Sequence, residues 1–501
     1  MAIPHIIIAG GGTAGWMAAN LIQQSWPQTR VTLIESKTIG TIGVGEGSTP
    51  YLKHFFKQLG ITDEQWMPAC NATYKTGIQF SSWTNKPGYS SYFHPFFSQL
   101  DIKPGDPFFY NANMQRMGYQ ANAHPDKYFV NTQLAAQCLA PIPNREIGFE
   151  LDYGYHFDAG LLGTFLKQRA IQLGVEHIEG DIENVEVSES GNISHLVTKA
   201  GAKLSADFFI DCTGFQSLLL QKTLNVPFTS FKDNLINDAA VAIQTPNASD
   251  FAISPKTVST AFKHGWAWNI PLTNRTGNGY VYSTEHCSPD EAEHELRQAL
   301  GIGANKDIKA RHLKMRVGRV SQHWHRNCLA IGLSQGFIEP LEATALMLVQ
   351  YSIQQFIDRY QDLKTPEAQK RTLYNQEINR MFDGIRDYIV THYCMNSRTD
   401  TAYWQHCREE SILSDNLTEL LEAWTSKDKD FDSVLEKQQS SLVYLRPSWY
   451  IILAGMGCFP ETLSEPPTSI RIPDANLSLR LCQKYASELF NDHRSVLASR
   501  L

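Results

Sequence analysis

No stretch of this chain stays apolar for the roughly 18 residues that a membrane-spanning helix requires, which argues against a helical membrane protein. Basic charge is also scarce. Lys and Arg number 44 against 51 Asp and Glu, a net charge of −7, so there is no positive field to gather nucleic acid or anionic lipid. The 9 cysteines are scattered from Cys70 to Cys482 without one Cys-x-x-Cys pair or metal-ligand spacing. Their odd count and dispersal suit a reducing cytosol rather than a disulfide framework. The N-terminal residues carry neither a basic stretch nor a small-residue cleavage site, so a secretory leader is not expected and a cytoplasmic location is. Internal repeats and low-complexity tracts are missing too. What is there is 42% hydrophobic content over 501 residues, enough for two interleaved domains.

The first forty residues read as a nucleotide-binding unit. Ile6-Ile7-Ile8-Ala9 is a β-branched apolar run of the kind found in buried parallel strands. Gly10-Gly11-Gly12-Thr13-Ala14-Gly15 follows as G-x-G-x-x-G, then a helical stretch from Trp16. A second strand, Val31 to Ile34, ends at Glu35, 20 residues beyond Gly15. Gly10 permits the tight turn, Gly12 the approach of a pyrophosphate and Gly15 close helix–strand packing. Thr13 and Ala14, inside the fingerprint, are counted among the cofactor-binding residues; the N-terminus of the following helix faces the phosphates, and Glu35 can accept from ribose hydroxyls.

Later segments decide which dinucleotide. Phe208-Phe209-Ile210-Asp211-Cys212-Thr213-Gly214 resembles the second FAD segment of glutathione-reductase-type flavoproteins, with Asp211 and Gly214 as its contacts. Asn327 to Gly336, containing Leu333, resembles their third. A second complete G-x-G-x-x-G is lacking, so no NAD(P)H domain is expected and reduced flavin must come from a separate reductase. Ile182 is placed near the adenine by pattern. Helix is expected over Leu161–Leu173, with strands near 175–178 and 185–187. Alternating strands at about 225–325 suggest a sheet roofing the flavin. From Leu341 helical spacing dominates, over 341–360, 370–396 and 412–438. The fold class is therefore α/β: a glutathione-reductase-type, Rossmann-like FAD fold with a sheet over the flavin and a helical C-terminal substrate region. The division is 1–350 for the core and 351–501 for the helical cover.

Three motifs narrow the chemistry. Gly265-Trp266-Ala267-Trp268-Asn269-Ile270-Pro271 sets two indoles at alternate positions, which also suits plain packing of one strand face. Asn71-Ala72-Thr73-Tyr74-Lys75-Thr76-Gly77 carries a lysine, and Gly336-Phe337-Ile338-Glu339-Pro340-Leu341-Glu342-Ala343-Thr344-Ala345 leads into a helix. Together they resemble the flavin-dependent tryptophan halogenases, well over residues 1–350 and loosely beyond.

The resemblance implies an FADH2- and O2-dependent enzyme that places bromide or chloride on an electron-rich aromatic. Trp266 and Trp268 would separate substrate from flavin, so that halide intercepts the activated oxygen. Lys75 would carry or hydrogen-bond the hypohalous acid, aided by mobile ammonium donors and by burial, which lowers a lysine's pKa. Glu342 would orient the oxidant and accept the ring proton. Thr344 and Ala345 match the halide-contacting pair, at a helix start that suits an anion. Gly47, in the glycine-rich stretch Ile42–Pro50, and Leu346 fall at flavin-contacting positions. His94 and Phe96 fit a His-x-Phe pair lining the indole pocket, although core packing explains aromatics there equally well; Trp449 lies in the segment where relatives grip substrate.

The chain departs from the family in reading Glu-Ala-Thr-Ala where halogenases of free tryptophan read Glu-Ser-Thr-Gly. The lost serine and added methyl bear on halide choice, by reducing chloride use or favouring the more oxidisable bromide. The C-terminal Tyr-Tyr...Glu...Phe-Trp constellation is matched only by Tyr444 to Tyr450, without an evident glutamate, which leaves tryptophan, bare indole and larger indoles open. A flavin aromatic monooxygenase and a non-catalytic flavin-binding protein are the competing readings. The partners expected are an aromatic small molecule and a flavin reductase, with no nucleic acid and no membrane; a homodimer is left open.

Overall fold

Ile6, Ile7 and Ile8 occupy the middle of the strand His5–Ala9 and are fully buried. In this computed structural model, which describes residues 3–38, 40, 46–248, 252–305 and 307–500, that strand pairs in parallel on both sides. Arg30–Glu35 and then Glu176–Glu179 extend the sheet one way; Phe208–Asp211, Cys328–Ala330 and an antiparallel Trp324–His325 extend it the other. A strand buried on both faces reads as an unbroken apolar run, and Ile6–Ala9 and Phe208–Ile210 do. Helices Thr13–Ser25, Ala159–Gln172 and Ala345–Gln361 accompany this sheet, the α/β dinucleotide fold expected.

The chain divides into two units. One comprises Met1–Asn71, Phe157–Lys232 and Met315–Asp383; the other comprises Ala72–His156, Asp233–Lys314 and Gly384–Leu501. The helical stretch after residue 350 is thus shared between them, and the helix Glu367–Cys394 contains the boundary. In the first unit, a core of Ile7, Ile34, Phe209, Leu219, Leu220 and Val320 lies against the parallel sheet.

The second unit is built on a seven-stranded sheet, ordered Ala310–Lys314, Ala239–Pro246, Arg275–Tyr282, Gly265–Pro271, Thr257–Phe262, Gly77–Ser81, Ser91–Pro95. Its last two strands lie far outside the 225–325 stretch in which a sheet was expected. Alternation sorts its faces. Ala267, Tyr280, Tyr282 and Val241 share one face in a cluster with Ala292 and Leu296 of the helix Pro289–Ala299. Trp266 and Trp268 point the other way.

Two expected helices differ. The stretch 412–438 is broken into Asp415–Thr425 and Phe431–Lys437, because Ser414 and Asp430 each accept from a nearby backbone N–H and cap separate starts. The helix expected from Leu341 begins at Ala345. Pro340–Glu342 form a 3-10 turn that closes on Ala343 in the left-handed region, φ 57°. Of the glycine-rich stretch 42–50, residues 42–45 lie outside the described residues; Glu46–Gly47 form a short strand.

Candidate functional site

In the first unit the fingerprint builds a cradle. Gly10 has φ 111°, and a Cβ there would collide with the Cys212 carbonyl; at Gly15 it would collide with the Gly10 carbonyl. Gly12 caps the helix Thr13–Ser25 with no side-chain bond, and nothing lies within 4 Å of the place its Cβ would take. The first turn holds no acidic residue. Such an uncapped N-terminus, with its backbone N–H groups and dipole aimed outward, fits a pyrophosphate. Thr13 donates to the Ala159 carbonyl at 3.4 Å, and Ala14 supports the turn Gly332–Ser334, where a Cβ on Gly332 would approach its methyl to 2.8 Å.

Glu35 ends its strand as expected. Its Oε1 takes Lys167 at 2.6 Å and His177 at 2.9 Å, which orients the carboxylate, while Oε2 faces Gly11. Asp211 is fully buried and spends its carboxylate on its own turn. Oδ1 accepts from the Thr213 N–H at 3.0 Å and hydroxyl at 2.6 Å; Oδ2 accepts from the N–H groups of Leu219 and Leu220, both at 2.9 Å. It therefore shapes the backbone through Gly214, which sits at φ 68°. Ser217 donates to the Ser334 carbonyl at 3.0 Å and Ser334 to the Gly214 carbonyl at 3.2 Å, joining the second and third FAD-like segments. Ile182 packs against the core cluster of Ile34 and Phe209. Leu333 is half-buried within its turn, Gly47 is half-buried, and Leu346 is buried in the helix Ala345–Gln361.

Glu342 and Thr344 are buried at the turn preceding that helix, with Ala343 between them; Ala345 is its exposed first residue. Thr344 is the N-cap and makes no side-chain capping bond, and the first turn is free of acidic residues. The anion-favouring end of the helix therefore lies at the pair singled out for halide.

In the second unit Lys75 ends the strand Thr73–Lys75, which pairs antiparallel with Gly154–Phe157, Lys75 opposite Gly154. Lys75 is 0% exposed. Its Nζ stands 5.5 Å from the centre of the Phe96 ring, a cation–π distance. The neighbouring backbone is tied on the far side, since Thr76 N–H donates to the Pro255 carbonyl at 2.7 Å and Phe96 N–H to the Thr76 carbonyl at 2.8 Å. Behind it, the Thr73 hydroxyl donates to the Pro271 carbonyl at 2.8 Å, so His156 Nδ1 at 3.1 Å must donate to Thr73; His156 Nε2 accepts from Thr257 at 3.0 Å. Burial and the adjacent Lys75 and His493 hold the His156 pKa well below its usual value. The imidazole therefore stays neutral beside Lys75.

His94 is buried in the strand Ser91–Pro95, and its Nε2 meets the Tyr388 hydroxyl at 3.0 Å. That hydroxyl donates to the Ser448 carbonyl at 3.1 Å, so Nε2 carries a proton and donates to tyrosine. The Tyr388 ring stacks on Tyr444 at 3.6 Å and meets Trp449 edge-on at 4.9 Å, while the Trp449 N–H donates to the Tyr444 carbonyl at 3.1 Å. Strand register sets Trp266, Trp268, Phe80, Ile78 and His94 on one face of the sheet. The two indoles are 6.1 Å apart, and Trp268 crosses Gly279 of the next strand. In sequence, Tyr444 stands out without a role, and His156, Tyr388 and His493 do not stand out. Their signal is tertiary: a histidine or tyrosine within an apolar stretch reads as core.

The cradle on its parallel sheet defines a dinucleotide-binding protein of the α/β class, and the other unit holds a buried lysine beside an aromatic ring. The sequence profile of the tryptophan halogenase family matches residues 5–469. Tryptophan 6-halogenase SttH of Streptomyces toxytricini is 38% identical over 474 residues, 90% of this chain and 89% of its own length. Its crystal structure superposes with a TM-score of 0.86 over 99% of both chains. BrvH, a flavin-dependent halogenase from Brevundimonas sp. BAL3, gives a TM-score of 0.83 at 31% identity over 99% of both chains. The chain belongs to the flavin-dependent tryptophan halogenase family, and it is an enzyme of that kind.

Proposed function

We propose that the enzyme halogenates an electron-rich aromatic of the indole class, using bromide or chloride and reduced FAD delivered by a separate flavin reductase. The observation that carries this reading is Lys75: a lysine wholly buried beside Phe96, with a neighbouring imidazole held neutral by burial. When bound, the reduced flavin supplies the electrons and oxygen activation that oxidise halide to hypohalous acid. Gly10, Gly12 and Gly15 would seat its pyrophosphate, with Glu35 toward the ribose. Thr344 and Ala345 hold the halide at a helix N-terminus, and Trp266 and Trp268 keep organic substrate from the flavin. Lys75 donates to the hypohalous acid and directs the halogen; Glu342 accepts the proton that the ring releases.

The substrate is recognised by its ring. SttH, by its name, acts on tryptophan.

The test supplies FAD, a flavin reductase, NADH and oxygen, with indole and tryptophan each offered bromide and chloride. Products are read by isotope-resolved mass spectrometry beside Lys75→Ala and a hypohalite control without enzyme. A halogen isotope doublet that disappears in Lys75→Ala supports the proposal. Hydroxylated product without halogen refutes it.

A further inference from the structure

Lys75 sits on a three-residue strand, and three residues of strand do not hold themselves in place. One edge is paired with Gly154–Phe157. On the other edge no strand takes the Tyr74 N–H; a side chain from the far end of the chain does. His493 Nε2 accepts from Tyr74 N–H at 3.2 Å, across 419 residues, and His493 Nδ1 meets the Ile253 carbonyl at 2.8 Å. A backbone N–H can only donate and a carbonyl can only accept. The ring is therefore neutral, with its proton on Nδ1. His493 is 0% exposed, and its own N–H donates to the Cys138 carbonyl at 2.8 Å. Asp492 caps the helix His493–Ala498 by accepting from Ser495 N–H at 2.8 Å, and Phe490–Asp492 pairs with Leu139–Pro143. The imidazole is thus anchored at both ends, bridging the lysine strand to the segment at 253–255, where Thr76 is also held.

We propose that His493 is a positioning residue for Lys75, acting through the Tyr74 backbone; this rests on the lysine-directed halogenation proposed above. A buried N–H deprived of its acceptor seeks another, and the strand it belongs to moves to find one. Displacing a catalytic ammonium by about 1 Å costs rate rather than binding, on the order of 10- to 100-fold.

Two substitutions of similar size separate the two nitrogens. In His493→Gln the amide oxygen reaches the place of Nε2 and can still accept from Tyr74. In His493→Asn the shorter amide reaches only the place of Nδ1 and can donate to Ile253 alone. The assay is steady-state halogenation in the reconstituted system, with hydrogen–deuterium exchange of the peptide containing Tyr74 and a Lys75→Ala control. His493→Asn is expected to lower kcat by about 10- to 100-fold at unchanged KM for the aromatic, with faster Tyr74 exchange. His493→Gln keeps kcat within a few-fold and retains protection. Equal kcat in both variants, whether near wild type or equally depressed together with the melting temperature, overturns the proposal, as does a loss in Gln alone. If Lys75→Ala halogenates like wild type, the functional reading fails instead, and the exchange result still reports whether His493 holds Tyr74.

Discussion

The role of Trp268 can be tested without altering it, because its indole lies across a glycine. Trp268 and Gly279 face one another in the antiparallel pair Gly265–Pro271 and Arg275–Tyr282. A Cβ added at Gly279 would stand 2.6 Å from Trp268 Cε2 and closer still to Cζ2 and Cη2. Carbon atoms in contact prefer about 3.5–4.0 Å, so in Gly279→Ala the ring must retreat by over about 1 Å or the strands must part. Overpacking of this kind costs about 1–3 kcal/mol, and the lower chain entropy of alanine returns about 0.5–1 kcal/mol. The expected net loss is about 1–2 kcal/mol, read as a lowered urea midpoint at unchanged slope. The functional consequence is separate. If the indole pair shields the flavin from substrate, a displaced Trp268 lowers halogenated product per NADH consumed and raises peroxide and hydroxylated product. Flavin affinity, set by the cradle in the other unit, should not change. A lowered midpoint with unchanged coupling would refute the barrier role and leave Trp268 as packing on the sheet face. An unchanged midpoint would refute the geometry itself.

Three further outcomes are expected. Ala343 stands at φ 57°, where an L-residue costs on the order of 1 kcal/mol; Ala343→Gly should raise the urea midpoint by roughly half that after the entropic cost of glycine, and a fall would sink the idea. Tyr388→Phe removes the hydroxyl that receives His94 and keeps the stack on Tyr444, so KM for the aromatic should rise several-fold, about 1 kcal/mol, while kcat holds; an unchanged KM removes His94 from the pocket. Burial lowers His323 to a pKa of about 3 and His493 to about 4 from 6.5. Each of these imidazoles therefore takes up its proton more readily in the unfolded chain, and the stability it contributes is lost as pH falls from 6.5 toward 4, on the order of 3 kcal/mol apiece. Buried Glu46, raised to about 7, and Asp101, raised to about 6, oppose this, so the clean measurement is the difference between wild type and His493→Gln from pH 7 to 5. The variant should lose stability less steeply with acid, and parallel curves would count against it.

How much of this was legible in the sequence depends on how far apart the interacting groups lie along the chain. The cradle is nearly contiguous: strand, Gly10 to Gly15, helix and Glu35 follow one another, and each local preference agrees with its neighbours, so reading residues in order recovers the geometry. Lys75 has no such signature. A lysine in a three-residue strand carries no periodicity, and only likeness to a family singled it out. The Ala343 break was hidden for a different reason: Glu-Ala-Thr-Ala-Leu-Met has high helix propensity throughout, and a left-handed residue there is an effect of tertiary context that propensity does not encode. Asp211 marks a subtler limit, since the motif located it correctly but not what its oxygens hold, which proved to be its own turn. Protonation lies furthest out of reach. His94 donates to Tyr388 across 294 residues and His493 accepts from Tyr74 across 419, so the nitrogen that bears each proton is decided by distant backbone. Composition counts those imidazoles as groups that titrate near neutrality. His493, packed between a backbone N–H and a carbonyl, and His156, held down by burial, keep one proton each and stay neutral.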